Sequence, residues 1–347
     1  MSVVGARPQF IKLAPLSKLI REKYLEIIVH TGQHYDVGMS EQFFKDLEIK
    51  PPNFNLNIGS GSHGTQTGNM LIKLEKVYDN EKPDIVIVYG DTNSTLAGAL
   101  AAVKMHIPII HVESGLRSLN RIMPEEINRV MADHASDFLF APTKAAIDNL
   151  KKEGLEDKSF LTGDIMVDAL KNNLDIALEK STILRDMRLE SKEFILLTLH
   201  RPYNVDNPNI LKKILNLLAK INSQIIFAVH PRTKKILEDN SFSIGKNISV
   251  IRPVGYLDFI NMEYHSKKIV TDSGGIQKEA YILKKPCITL RPETEWVETV
   301  NEGWNILLTP ESGNFIETIE SFTPHSKQKD VFGSNVSEKM FQIIQKI

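Results

Sequence analysis

The chain has 347 residues, more than one hydrophobic core usually serves, so two domains are expected. Its 42% hydrophobic and 24% charged residues exclude a disordered chain, and a formal net charge of -1 gives neither nucleic acid nor an anionic membrane a basic surface to bind. One cysteine, Cys287, excludes an intrachain disulfide framework and a cysteine-based zinc site. No run approaches the roughly 18 apolar residues that span a bilayer, and the start MSVVGARPQF has no signal-peptide apolar region, so a cytoplasmic location is expected.

In chain order, the run SVV before Gly5 is a first strand shorter than the usual five or so residues, so a native start a few residues upstream is expected. The runs LEIIVHT (25–31), DIVIVYG (84–90), IPIIHVE (107–113) and DFLFAPT (137–143) follow. Their near-continuous apolar character suits a parallel sheet covered on both faces. Amphipathic stretches such as SEQFFKDLEI (40–49) and STLAGALAAVKMH (94–106) read as the helices between them. A polar helix over 168–187 reads as a junction. A second series then begins with FILLTLH (194–200), QIIFAVH (224–230), NISVIRPV (247–254), KKIVTDS (267–273) and PCITLRP (286–292), with the helix NILKKILNLLAKI (209–221) between two of them. The expected class is α/β, with right-handed crossovers and two doubly wound domains. The first covers 1–165 with 330–347, the second 166–329. Two such domains facing each other would place a cleft at the carboxyl ends of their strands, where ligands of open α/β sheets bind.

The motifs fall at those strand ends. GSGSHGTQTG (59–68) has the glycines of a nucleoside triphosphate loop but Thr65 where its lysine should stand, so a Gly-rich flexible connection is expected instead. No G-x-G-x-x-G follows a strand, so no nicotinamide cofactor is required, and HVE lacks the paired cysteines of a zinc deaminase. No metal is expected. VTDSGGIQKEA (270–280) takes a strand into a helix through Ser273, Gly274 and Gly275. The glycines permit close approach, and the helix start offers N–H groups and a positive dipole end to a phosphate; an ordinary capped turn reads the same locally. Glu279, one turn in, is placed to accept from a ribose diol. Arg7 and Lys12 in GARPQFIK, and His230 and Arg232 in AVHPRT, are cations at other strand ends; each alone is more often a surface charge, and several converging on one rim point to a diphosphate site.

The carboxylates are more pointed. Asp91 in YGDTNST and Glu113 in HVESGLR follow adjacent strands, an acid–base arrangement, and His200 would face them from the second domain. In MPEEINR, Pro124 starts a helix; Glu125 and Glu126 in its first turn also suit the dipole, and Glu125 an i,i+4 pair with Arg129.

Read together, GARPQFIK, HTGQHYD, YGDTNSTLAGALAA, HVESGLRS, MPEEINR, APT (141–143), LTGDIMVDAL, LHRPYN, VHPRT, PVGYLDF and TDSGGIQKEA make the chain resemble, from end to end, the non-hydrolysing UDP-N-acetylglucosamine 2-epimerases. The resemblance implies a glycosyltransferase-B-like (GT-B-like) fold of two Rossmann-like domains, with SEKMFQIIQKI as a last helix returning to the first. It implies a UDP-sugar substrate, no cofactor and a homodimer. The implied reaction eliminates UDP from C1 and the proton from C2, forming a 2-acetamidoglucal, then re-adds UDP with the proton on the opposite face. By the same match, Asp91, Glu113, Glu125 and His200 are catalytic. Arg7, Lys12, Ser273, Gly274, Gly275 and Glu279 hold phosphates and ribose, and Val254 and Phe259 lie on the uracil side.

The chain departs from the family pattern at Gln9, where a glutamate is usual, at Tyr203, where Glu precedes the asparagine, and at Trp296, where many members have an arginine. Arg291 is expected to compensate for the last. Asp36 replaces a glutamine used for allosteric UDP-sugar binding, which argues against substrate regulation. Trp296 also fits a sugar pocket reshaped for UDP-2,3-diacetamido-2,3-dideoxyglucuronate. That epimerase, a hydrolysing relative, a GT-B glycosyltransferase and a non-catalytic UDP-sugar sensor are the alternatives.

Overall fold

The computed structural model describes residues 1–33, 44, 49–189, 193–240 and 242–347. Asp36 and the amphipathic stretch 40–49, except Phe44 and Ile49, lie outside them. The chain divides into two units, Met1–Ala169 with Asp330–Ile347, and Leu170–Lys329. The division falls inside the helix Met166–Lys180.

In the first unit the strands are short. They are β1 Ser2–Val4, β2 Ile28–His30, β3 Phe54–Asn55, β4 Val86–Tyr89, β5 Ile109–Val112, β6 Phe138–Ala141 and β7 Ser159–Leu161. The central ones, β1, β2, β4 and β5, are rich in Val and Ile and buried. All pair in parallel, in the order β3-β2-β1-β4-β5-β6-β7. β1 has only three residues yet pairs on both sides. The chain winds outward from β1 through β3, then resumes on the other side at β4. The carboxyl ends of β1 and β4 therefore flank a topological switch point, where open α/β sheets leave room for a ligand.

The second unit repeats this plan. β8 Phe194–Thr198, β9 Gln224–Ala228, β10 Ile248–Ile251, β11 Lys268–Thr271, β12 Cys287–Thr289 and β13 Asn305–Leu307 form a parallel sheet in the order β10-β9-β8-β11-β12-β13. Its switch point lies between β8 and β11. One helix against it, Pro208–Leu218, buries Leu211, Ile214, Leu215 and Leu218, the i, i+3, i+4, i+7 stripe. Each such side chain contributes about 2 kcal/mol by leaving water.

The structure corrects two expectations. The Gly-rich stretch is not a flexible connection throughout: a helix runs from His63 to Glu81, capped by Ser62 Oγ, which accepts from Thr65 N. Gly64 and Gly68 sit in its first turns because the buried Gln66, Met70, Leu74, Val77 and Tyr78 carry the helical period across them. The polar junction is two helices, Met166–Lys180 and Ile183–Asp186, and Ser181 between them donates to Asp258 Oδ1 at 2.6 Å.

The C-terminal segment belongs to the first unit. Asp168 Oδ2 accepts from Ser337 N at 2.7 Å and Ser337 Oγ at 2.6 Å, at the start of the helix Val336–Ile344. Gly163, at φ +94°, makes the approach possible: a Cβ there would lie 2.7 Å from the Phe332 carbonyl oxygen.

Gly163→Ala should therefore cost about 2 kcal/mol or more in urea unfolding, from left-handed strain and a backbone clash. Gly68→Ala, whose Cβ would meet nothing within 4 Å, should instead raise stability by about 0.5–1 kcal/mol, since a helical alanine loses less entropy than glycine.

Candidate active site

At the switch point of the first unit, Gly5 follows β1 and lies under the Thr31–Ser94 hydroxyl pair (2.8 Å), with which any Cβ would collide. Gln9, buried, accepts from Gly5 N (2.8 Å) and Ala6 N (3.1 Å) and donates to Tyr89 O (2.8 Å) and Thr95 Oγ1 (3.1 Å). It thereby ties the turn after β1 to the end of β4. That turn places Arg7, exposed, at the first position of the helix Arg7–Lys23 and Lys12, buried, one turn on.

Lys12 Nζ reaches Glu113 Oε1 at 2.6 Å, and both side chains are nearly buried. Glu113 follows β5 at φ +72°, a conformation that costs a residue with a Cβ about 1 kcal/mol or more and that collects at functional sites. Gly90 follows β4 at φ +64°, and a Cβ on it would lie 3.1 Å from Lys12 Nζ and 3.7 Å from Glu113 Oε1. Asp91, the next residue, thus leaves β4 beside the Lys12–Glu113 pair. Its carboxylate pairs with the Arg129 guanidinium and keeps 29% of its surface exposed. Its carbonyl accepts from Asn128 Nδ2 at 3.0 Å. The structure thus brings Lys12, Asp91 and Glu113 together.

The helix Pro124–Ala135 supports them. Glu125 is half-buried in its first turn and has no hydrogen-bond partner among the described residues. Glu126 accepts from Ser118 N, Ser118 Oγ and Leu119 N, each at 3.0 Å, and so folds the loop after β5 onto the helix. Asp133 is fully buried. It accepts from Gly115 N (3.0 Å), faces His111 Nδ1 (2.6 Å) and pairs with Arg117 (2.8 Å). Burial alone would raise its carboxyl, but His111 and Arg117 outweigh that and hold it below the usual range. The other ring nitrogen of His111 meets the Gly90 carbonyl at 2.7 Å. Arg117 also grips Glu153 with two bonds of 2.7 and 2.8 Å.

Sequence reasoning missed this hub, and with it a polar network. Asn128 Nδ2 donates to Asn93 Oδ1 (3.1 Å), Asn93 Nδ2 donates to Gln66 Oε1 (2.7 Å), and His63 touches Asn93. The signal available was the spacing of Glu126, Arg129 and Asp133, which puts them on one helix face.

In the second unit the corresponding hub is Asp272, fully buried after β11. Its two oxygens accept from His200 N (3.0 and 3.1 Å), Arg201 N (3.0 Å) and Asn204 Nδ2 (3.0 Å), which shapes the loop after β8. His200 Nδ1 lies 3.3 Å from Asp272 Oδ1. Burial pulls the His200 imidazole below its ordinary 6.5; Asp272 opposes this, while Arg201, His230 and Arg291 add to it. The ring is therefore neutral near pH 7 and can take up or pass on a proton. His230 lies with its ring centre 6.1 Å from that of His200, caps the helix Pro231–Asp239 through Nδ1, which accepts from Arg232 N at 3.3 Å, and is also lowered by burial and then by Arg232. Arg232 turns to Asp206 at 2.6 Å.

Ser273 opens the helix Gly274–Ile282 without a side-chain cap, so its first N–H groups are presented by backbone alone. Gly274 leaves room for Glu295, which a Cβ would strike, and Glu295 is paired with the buried Arg291 at 2.9 Å. Trp296 is buried, with Lys278 Nζ 4.0 Å from its ring centre. Glu279 is buried and accepts from Tyr256 Oη at 3.3 Å. Val254 and Phe259 are partly buried against the core cluster that includes Phe194, Leu196 and Ile269. Among the described residues no cluster of His, Cys, Asp and Glu could hold a metal ion, and no helix is long and apolar enough to cross a membrane.

A family model described as UDP-N-acetylglucosamine 2-epimerase matches residues 18–345. A protein of Methanococcus maripaludis, named a UDP-N-acetylglucosamine 2-epimerase homolog, is 52% identical over 100% of this chain and 99% of its own length. The UDP-2,3-diacetamido-2,3-dideoxy-D-glucuronate 2-epimerase of Pseudomonas aeruginosa is 46% identical over 95% of this chain and 94% of its own. The crystal structure of the Methanocaldococcus jannaschii UDP-GlcNAc 2-epimerase, in complex with UDP-GlcNAc and UDP, is 45% identical, covers 99% of this chain and 98% of its own, and superposes with a TM-score of 0.89.

Both histidines fold with their pKa below the unfolded value, so the unfolded chain binds more protons between the native pKa and about 6.5. Their contribution to stability should be present above about pH 6.5 and be lost as pH falls through that window. Histidine titration by NMR should place His200 below 6.5, and Asp272→Asn, which removes the one upward influence, should move it lower still.

Proposed function

The chain belongs to the UDP-N-acetylglucosamine 2-epimerase family, with its GT-B-like two-domain α/β fold, and from that premise we propose that it is the non-hydrolysing enzyme interconverting UDP-N-acetylglucosamine and UDP-N-acetylmannosamine. The observation that carries the reading is the grouping of Asp91 and Glu113 at the ends of neighbouring strands, each held by a buried cation, Arg129 and Lys12.

The chemistry needs such a pair. The C2 hydrogen of the sugar is not next to a carbonyl, so direct deprotonation is hard. Elimination avoids this. A carboxylate takes the C2 proton, the C1–O bond breaks with its electrons leaving on UDP, and a C1=C2 double bond forms. In the return step UDP oxygen re-forms the bond to C1, and a second acid delivers a proton to the other face of C2. Asp91, Glu113 and Glu125 are the candidates for these roles, with His200, neutral near pH 7, as a further proton carrier. Glu125 suits an exchange of protons because no hydrogen bond holds it among the described residues.

The second unit suits the leaving group. The backbone at Ser273, Gly274 and Gly275 and the adjacent Arg291 offer N–H donors and a cation to a diphosphate. Glu279 suits the ribose, and Val254 and Phe259 the uracil side. Arg7 and Arg232 are rim cations in this reading and His230 a neutral rim donor; Arg232 engages phosphate by leaving Asp206. The enzyme acts as a cytoplasmic homodimer without cofactor, supplying a nucleotide sugar for surface polysaccharide or glycan assembly.

Proton NMR of the protein with UDP-N-acetylglucosamine in deuterated water tests the proposal. The C2 proton signal should vanish while a manno-configured anomeric signal grows. Neither change with UDP still bound would overturn this substrate and direct the same experiment to the diacetamido-glucuronate. Asp91→Asn and Glu113→Gln should each lose exchange by at least about 100-fold yet keep UDP binding by calorimetry; loss of UDP binding in both would make the carboxylates structural.

A further inference from the structure

One buried acid has no part in the site described above. Glu263, in the helix Tyr256–His265, is fully buried, and no N–H or O–H donor reaches either of its oxygens among the described residues. What it meets is a second carboxyl group, that of Glu279 on the helix Gly274–Ile282. Tyr256, seven residues earlier on the same helix, donates to Glu279 Oε1 at 3.3 Å. Residues seven apart lie two turns apart on one face. The helix Tyr256–His265 thus presents a phenol and a carboxyl together to Glu279.

Two carboxyl groups in hydrogen-bond contact in a dry site cannot both be ionised; one proton between them makes one a donor and the other an acceptor. Glu279 has the Tyr256 hydroxyl to accept from and so holds the negative charge, whereas Glu263 has no donor among the described residues and so holds the proton; burial, and then the charge of Glu279, push the Glu263 carboxyl up in the same sense. An apolar side chain at 263 would avoid the cost of burying the acid. Donation to Glu279 is what an apolar side chain cannot supply.

We propose that Glu263 is a positioning residue for nucleotide recognition: as a carboxylic acid it donates to Glu279 and, with Tyr256, orients the Glu279 carboxylate to accept the ribose hydroxyls of UDP. This rests on the reading of Glu279 as the ribose contact. Glu263 itself touches no substrate.

The test compares UDP with 2′-deoxy-UDP by calorimetry. Replacing a buried acid by an apolar residue of similar size is often neutral or stabilising, so Glu263→Met and, as a second size, Glu263→Leu serve as the deletions. Both should cut the preference for UDP over 2′-deoxy-UDP about tenfold, the worth of one hydrogen bond to a charged group, and raise KM with kcat unchanged. Glu263→Gln still donates through its amide and should keep the preference within about threefold. Apolar variants that melt like the wild type and keep the full preference would overturn the proposal. Glu279→Ala, run in parallel, separates the two readings. If it too keeps the preference, the ribose assignment itself falls, and the positioning role with it. If it alone loses the preference, only the role of Glu263 falls.

Discussion

The first unit's site hangs on one buried carboxylate. Asp133 holds the Gly115 amide, the His111 ring and the Arg117 guanidinium at once, and His111 passes the constraint to the Gly90 carbonyl. Gly90 precedes Asp91, and Gly115 lies two residues after Glu113. The two candidate carboxylates are therefore set by a single anion that neither reacts nor meets solvent. Burying that anion is costly unless it is paired and fully hydrogen-bonded. Here the cost is offset by an imidazole, a guanidinium and a backbone N–H, which also fix geometry. Removing one partner would leave an uncompensated charge inside, so the hub is rigid by construction.

Asp272 does the same in the second unit with different donors. Two backbone N–H groups and the Asn204 amide converge on it, and the loop after β8 takes its shape from them. The two units share no strand, yet each solves one problem the same way. Strands of a parallel sheet end in loops that would otherwise be free, and in each unit one buried aspartate ties such loops together. His200 is positioned through its own backbone as well as its ring, since the same carboxylate accepts from its N–H and lies beside Nδ1.

Much of this was legible in the sequence. Buried parallel strands read as apolar runs, and all nine such runs beyond SVV correspond to strands, although the strands stop short of several run ends. Two of the trimmed residues, Gly90 and Glu113, are where the chain turns left-handed, which hydrophobic pattern does not encode. β3, β7 and β13 escaped because two or three residues rich in Asn and Ser carry no period. Asp91, Glu113, His200 and the SGG turn stood out because polar residues at the ends of apolar strands are visible from sequence. The residues that hold them in place were not, since Asp133, Asn93 and Gln66 sit inside helices where a polar residue ordinarily means a solvated face.

The departures from the family pattern bear on whether the chemistry survives. Gln9 is the informative one. Its carbonyl oxygen takes two backbone N–H groups while its amide nitrogen gives to a backbone carbonyl and a hydroxyl. A carboxylate at this place could accept as well but would bring its second oxygen against the Tyr89 carbonyl with no proton between them. The amide therefore satisfies this turn completely, and the turn is what sets Lys12 against Glu113. Tyr203 leaves Asn204 in place on Asp272, and Trp296 leaves Arg291 beside the turn at Gly274. At each of the three positions the substitution falls beside the machinery and the atoms that engage it remain, which favours an active epimerase over a disabled UDP-sugar sensor.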